Sequence, residues 1–233
     1  KILTRSSLSI FIVNKESDLQ ENANGGENSY NRVGGIDFNL ASADNLWTGK
    51  TFFHQAIYKN AGANAFAAAT SIKYNNGTVS GQMGYSVVGT DFQADVGFIK
   101  RTGFHRFGPH LEYKFYPNKG KILNHGPTFK FDNVLDEDLK TMDRELELKY
   151  IINYINRSKL SAELERGFVK LRAPFDPTNT GGDTLATGSA YNWNEFSLKY
   201  ESDARKTLNF TSNIRHGGYY NGNKFSLNGT INY

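Results

Sequence analysis

Apolar residues recur at every second position over much of the chain, with small, polar or charged residues between them. The runs Leu8/Ile10/Ile12, Ile36/Phe38/Leu40, Val79/Met83/Tyr85/Val87 and Phe92/Ala94/Val96/Phe98 keep this phase. So do Leu111/Tyr113/Phe115, Leu146/Leu148/Tyr150, Phe196/Leu198/Tyr200 and Leu208/Phe210/Ile214. A period of two puts the apolar set on one face of an extended strand and the polar set on the other. The pattern predicts about twelve strands of about ten residues, the length a tilted strand needs to cross a bilayer. Helical spacing is confined to 134–142, where Asp136-Glu137-Asp138 offers a short helical turn with a polar loop as the alternative.

At the C-terminus, Phe225, Leu227, Ile231 and Tyr233 alternate with small or polar residues, and the chain ends on an aromatic. This ending is expected of the closing strand of a bacterial outer-membrane barrel. Counted back from Tyr233, the predicted connections alternate in length. Those at 202–205, 156–158, 117–120, 75–77 and 41–44 are short; those at 216–223 and 59–64 are medium. Those at 173–189, 133–143 and 16–28 are long, as is 90–103 unless it extends a hairpin. Outer-membrane barrels have short periplasmic turns and longer outer loops, and with an inward final strand every short connection falls on the periplasmic side. A soluble sandwich has no such rule. The expected fold is all-β, an antiparallel transmembrane β-barrel over 1–233, closing by itself or forming part of a larger barrel.

Composition narrows the class further. The 233 residues include no cysteine, five prolines, 23 glycines, 13 tyrosines and 17 phenylalanines, which suits one domain of aromatic-rich strands separated by turns. Zero cysteine excludes disulfides and thiolate zinc sites. Mean hydropathy is −0.55, and no segment approaches the ~18 consecutive apolar residues of a membrane helix. A barrel needs only alternate residues to be apolar. The net charge of +4 is dispersed, giving no expectation of nucleic-acid binding. The opening Lys1-Ile2-Leu3-Thr4-Arg5 has no apolar stretch with a cleavage site, and the chain is expected to be mature or, preferably, a fragment.

Candidate chemistry lies on the polar phase. Asp91, Gln93 and Asp95 share one face of 91–101, and Arg106, His110 and Glu112 share a phase opposite to Phe107, Leu111 and Tyr113. Neighbouring strands would set these carboxylates beside Arg and His, as an ion-pair network inside a barrel or, more sharply, a cargo-contact or constriction ring. Other charges of that phase have mixed signs: Asp37, Lys114, Lys130, Asp132, Glu145, Glu147, Lys149, Glu163, Glu165, Glu195 and Lys199. Weak selectivity or an occluded lumen is therefore expected. His54, His105, His110, His125 and His216 lack i, i+2 partners, so neither a metal site nor a cofactor is expected. For catalysis only Asp91, Asp95 and His105 could be nominated. The expectation is a non-enzymatic protein with no catalytic residue.

Trp47, Trp193, Tyr191, Tyr219 and Tyr220 fall near predicted strand ends and read as an interface girdle, with sugar-stacking platforms as the alternative. The stretch from Ala173-Pro174-Phe175-Asp176-Pro177 to Gly181-Gly182-Asp183 reads as an exposed loop, lid or partner surface. Asn76-Gly77-Thr78 and Asn228-Gly229-Thr230 read as turn and strand chemistry, not glycosylation sites.

In Asn31-Arg32-Val33-Gly34-Gly35-Ile36-Asp37-Phe38, in 91–101 with its Asp95-Val96-Gly97-Phe98 core and Arg101, and in Phe104-His105-Arg106-Phe107-Gly108-Pro109, the chain resembles a family of large Bacteroidota proteins. These carry an N-terminal carbohydrate-binding family 9-like domain and a C-terminal barrel, domain of unknown function 5916. The resemblance implies an outer-membrane location. It also implies the C-terminal portion of a longer protein, without the sugar-binding-like domain and the first barrel strands. It carries over no catalytic residues. The expected role is transport, or a membrane-embedded subunit of a surface uptake or secretion assembly. Alternatives are a plugged barrel anchoring a carbohydrate-binding-like domain and an outer-membrane hydrolase. Expected partners are outer-membrane lipid, the barrel assembly machinery through the C-terminal strand, and other outer-membrane proteins.

Overall fold

The computed structural model describes residues 5–16 and 30–233. Among these every regular element is a strand: β1 (Ser7–Glu16), β2 (Tyr30–Ala41), β3 (Trp47–Tyr58), β4 (Phe66–Asn75), β5 (Val79–Val88), β6 (Phe104–Tyr113), β7 (Ile122–Leu135), β8 (Thr141–Tyr154), β9 (Lys159–Lys170), β10 (Ala190–Glu201), β11 (Asn209–Tyr219) and β12 (Gly222–Asn232). The strands follow one another in a single twelve-stranded sheet in chain order, with β1 and β12 as its edges, so the sheet is not closed. The all-β class and antiparallel ladders expected from the alternation are found. The chain divides into two compact units. The first is Lys1–Tyr74, Gln82–Phe107 and Val134–Lys140; the second is Asn75–Gly81, Gly108–Asn133 and Thr141–Tyr233.

Register decides which side chains share a face. In the first unit the ladder Leu8↔Phe38, Ile10↔Ile36, Ile36↔Phe53 and Gly49↔Ile72 gathers an apolar face. In the second, Leu227↔Ile214, Ile214↔Leu198, Phe196↔Leu164 and Leu164↔Leu148 do the same. These faces are open: Ile12 is 78% exposed, Leu227 65% and Leu148 49%. Polar residues border them, Asn14↔Arg32 in the first unit and Arg166↔Asn194 in the second. The opposite face carries Asn31, Asp37, Lys50 and His54 in the first unit and the glutamates of β8 to β10 in the second. Ion-paired carboxylates there are only 12–19% exposed at Glu147, Glu163 and Asp37. A water-soluble sheet hides its apolar face and exposes its charges; this one reverses both. On β12, Phe225, Leu227 and Ile231 lie on the open apolar face, with Tyr233 just beyond the strand.

Several expectations are corrected. The alternation Phe92/Ala94/Val96/Phe98 forms no strand, because 89–103 turns back on itself through Phe92 N to Gly89 O (3.3 Å) and Gly97 N to Ala94 O (3.0 Å). Phe92 enters a small core with Val33, Ala56, Ala65 and Ala67, while Val96 and Phe98 stay exposed. The helical turn at 134–142 is absent, and the long connection expected at 133–143 shrinks to 136–140. There the Asp136 N–H donates to Lys140 O (2.9 Å) and the Lys140 N–H to Asp136 Oδ1 (2.8 Å), so β7 and β8 run to 14 residues each. The connection at 216–223 contracts to 220–221, with Tyr220 at φ 52°, whereas 114–121 and 202–208 are longer than expected. The segregation of long from short connections therefore holds only in part: 89–103 and 171–189 are long, but 136–140 and 220–221 on the same side are not. The long connection expected at 16–28 lies outside the described residues, its first position apart.

Candidate functional site on the polar face

In the first unit the connection 89–103 lies against the polar face and is fastened by side chains from three strands. Asn31, at the start of β2, is 2% exposed. Its Nδ2 donates to Gln93 O (3.1 Å), and its Oδ1 accepts the Asp95 N–H (3.2 Å). A carboxamide offers a donor and an acceptor side by side, so it can mimic one rung of a β-ladder. Tyr58 Oη donates to Asp91 O (2.5 Å), and Asp91 Oδ2 accepts the Asn64 N–H (3.3 Å). Lys15 Nζ reaches Asp95 Oδ2 at 3.0 Å, while Gln93 Nε2 donates to Asp95 Oδ1 at 2.7 Å. The Lys15 ammonium, and then the Gln93 amide, hold the Asp95 carboxyl below its ordinary range against a smaller opposing effect of burial.

In the second unit the register sets Lys149 directly opposite Glu163, and its Nζ lies 2.7 Å from both Glu147 and Glu163. Lys130 lies 2.7 Å from Glu145 and 3.6 Å from Glu147, and Arg215 lies 3.4 Å from Glu195. Glu147, Glu165 and Glu195 stand opposite one another across β8, β9 and β10. Like charges so placed repel, and the flanking Lys149 and Arg215 offset that repulsion. The result is a lattice of both signs, with neither in clear excess. Among the described residues no three His, Asp or Glu side chains gather as metal ligands.

The residues singled out from sequence are brought together only in part. Asp91, Gln93 and Asp95 do form one cluster, but on a connection, and its partners are Tyr58, Asn64, Asn31 and Lys15. Arg106 belongs to the first unit, His110 and Glu112 to the second, where Glu112 pairs with Lys114 at 3.4 Å. The trio Asp91, Asp95 and His105 is not assembled. His105 Nδ1 meets Tyr85 Oη at 2.5 Å on the apolar face, because neighbouring Gly84 faces Ser71 on the polar side. Asn31, Lys15 and Tyr58 were not nominated. The one hint was that Asn31 opens the most distinctive early motif, and an uncharged side chain at a strand start carries no signal of a long-range partner.

The aromatic set also divides. Trp47 sits on the apolar face beside Tyr74, ring centroids 4.8 Å apart. Tyr191 and Trp193 have the phase of Glu195 and so lie on the polar face, and Tyr219 stands beyond the last β10–β11 pair, Glu195↔Gly217. They surround Tyr220 at 5.8, 5.6 and 4.8 Å, and Phe175 from 171–189 joins at 4.8 Å. Burial, then Tyr219 and Asp143, push the Tyr220 phenol above its ordinary range. No protein-family model, curated protein or solved structure matches the chain.

Proposed function

We propose that this chain is a non-enzymatic bacterial outer-membrane β-barrel protein that passes solutes or serves as the membrane-embedded subunit of a surface uptake or secretion assembly. One observation carries the reading: the sheet exposes its Leu, Ile and Phe face while shielding the face that holds its ion pairs. Contiguous apolar surface of this extent is costly in water and favourable against lipid. The polar borders at Arg32 and Arg166 suit the headgroup region, where long cationic side chains can reach water. Lipid also demands that every backbone group be paired, so β1 and β12 pair with each other or with further strands of a larger barrel. Phe225, Leu227, Ile231 and Tyr233 are then the signal read by the barrel assembly machinery. The resemblance to the Bacteroidota barrel family points the same way.

A second reading is favoured by the pinned connection 89–103. Its fixed place on the polar face, together with mixed charge, suits a filled barrel that anchors another domain. Planar-bilayer recording of the purified protein separates the two. Stable conductance with weak ion selectivity supports passage, and a silent but inserted protein supports the anchor. Extraction of the native protein from membranes by carbonate wash would overturn both.

A further inference from the structure

We infer that Tyr191, Trp193, Tyr219, Tyr220 and Phe175 form a stacking platform for a neutral oligosaccharide on the polar face of the second unit. The inference deepens the passage reading by naming a solute class, and it rests on that face meeting water. Rings that anchor a barrel in a bilayer belong on the lipid side, and Tyr191 and Trp193 have the opposite phase. None of the five is buried. The sheet makes room for them: a Cβ at Gly167 would overlap the Trp193 indole, and one at Gly218 would crowd the Trp193 Cβ at 2.8 Å. A fully buried Trp or Tyr usually bonds its polar tip to the protein, whereas a half-buried one can leave that tip open to a partner. Among the described residues, the Trp193 indole N–H and the phenols of Tyr191, Tyr219 and Tyr220 have no such bond, so four polar tips remain for a ligand.

A pyranose ring matches this chemistry, with C–H groups over its faces and hydroxyls around its rim. Its faces stack on the rings, and its hydroxyls take the indole N–H, the phenols and the carboxylate of Glu195. Glu195 lies two residues along β10 from Trp193 and is held by Arg215 at 3.4 Å. Neutrality follows from the flanking charges. Arg215 balances Glu195, and Lys224 lies over the Tyr219 ring at 4.6 Å; an ionic sugar would meet a like charge on one side or the other.

The chain has two tryptophans, so Trp47→Phe leaves Trp193 as the only indole reporter. The full chain, folded in detergent and checked by heat-modifiable mobility, is titrated with maltohexaose, cellohexaose and xylohexaose. The expected result is a saturable change in Trp193 emission with at least one of them, weakened about tenfold by Tyr220→Ala and unchanged by Tyr74→Ala. Should Tyr220→Ala not fold, Tyr191→Leu takes its place in the same titration. Folded protein that responds to none of the three, or binding indifferent to these ring removals, overturns the platform and leaves the barrel reading standing. Saturable binding by protein that stays in solution without detergent supports the platform and overturns the barrel reading.

Discussion

Asn31 grips Gln93 and its neighbour with both ends of its carboxamide, donating to the Gln93 carbonyl at 3.1 Å and accepting the Asp95 N–H at 3.2 Å. At 2% exposure no water can replace either bond. Asn31→Ala leaves a carbonyl and an N–H unpaired, at a cost of about 1–3 kcal/mol each. That cost falls on attachment of the connection and not on the whole sheet, since local opening is separable from global unfolding. Amide exchange of 89–95 should accelerate in Asn31→Ala while β8 to β10 keep wild-type protection. Asn31→Asp should do no better, because a carboxylate cannot donate to Gln93. Unchanged exchange at 89–95 in both variants would show that the Asn31 bonds do not hold the connection, which then rests on Tyr58, Lys15 and its apolar contacts.

Lys149 joins two strands through Glu147 and Glu163, both at 2.7 Å, with its side chain 26% exposed. Lys199, 40% exposed, meets among the described residues only Glu201 at 2.9 Å, two residues along its own strand. Breaking a fully buried pair costs about 3–5 kcal/mol, and exposed pairs contribute about 0–1 kcal/mol. Lys149→Met should therefore cost roughly 1–2 kcal/mol in urea unfolding, since it also leaves Glu147 and Glu163 beside Glu165. Lys199→Met should cost less than half of that. Equal effects would mean that cross-strand placement adds nothing.

Much of this polar face could be read from sequence, and the reason is geometric. Once Glu145, Glu147 and Lys149 lie in a strand, alternation fixes their common face and the ladder brings Glu163 across. Trp193 was equally legible, being two residues from Glu195, but its position near a strand end suggested a membrane interface. A long connection was expected over 90–103 and is found at 89–103, but the choice between it and a strand was not legible within 91–101. Its alternation satisfies a strand as well as a folded connection, and what decided between them is remote: the Asn31 carboxamide and a pocket of small residues, Ala56, Ala65 and Ala67, that accepts Phe92. Asn133 and Asp143 misled in the other direction. They fell in the long connection expected at 133–143, yet they lie in β7 and β8.

The turn between β10 and β11 carries its own pH signature. Asp203, 7% exposed, accepts from Arg205 Nε (2.9 Å), Arg205 Nη2 (2.7 Å) and the Arg205 N–H (3.0 Å). The Arg205 side chain, then its backbone N–H, lower the Asp203 carboxyl from 3.8 to about 2. A carboxyl depressed in the folded state contributes stability that is complete above its unfolded value and disappears as pH falls through its folded value. The stability gap between wild type and Asp203→Asn should therefore be constant above about pH 5 and close between 3.8 and about 2. Thermal unfolding at steps through that window checks it. A gap that closes near neutral pH would point to another group.

The reversed faces of the sheet make the sharpest test, because lipid and water give opposite answers to one substitution. Leu148 lies within the apolar run Leu146, Leu148, Tyr150 and Ile152 of β8, opposite Leu164, and is 49% exposed. Leu208, in the connection 202–208, is 60% exposed. If the apolar face met water, arginine at either position would be a surface change worth about 0.5 kcal/mol or less. If it meets lipid, Leu148→Arg should cost about 2–4 kcal/mol in bilayers near the midplane, and Leu208→Arg should stay close to zero. Reversible unfolding of both variants in lipid vesicles gives the difference directly. A cost for Leu148→Arg no greater than that for Leu208→Arg would remove lipid from the apolar face, and with it the outer-membrane reading.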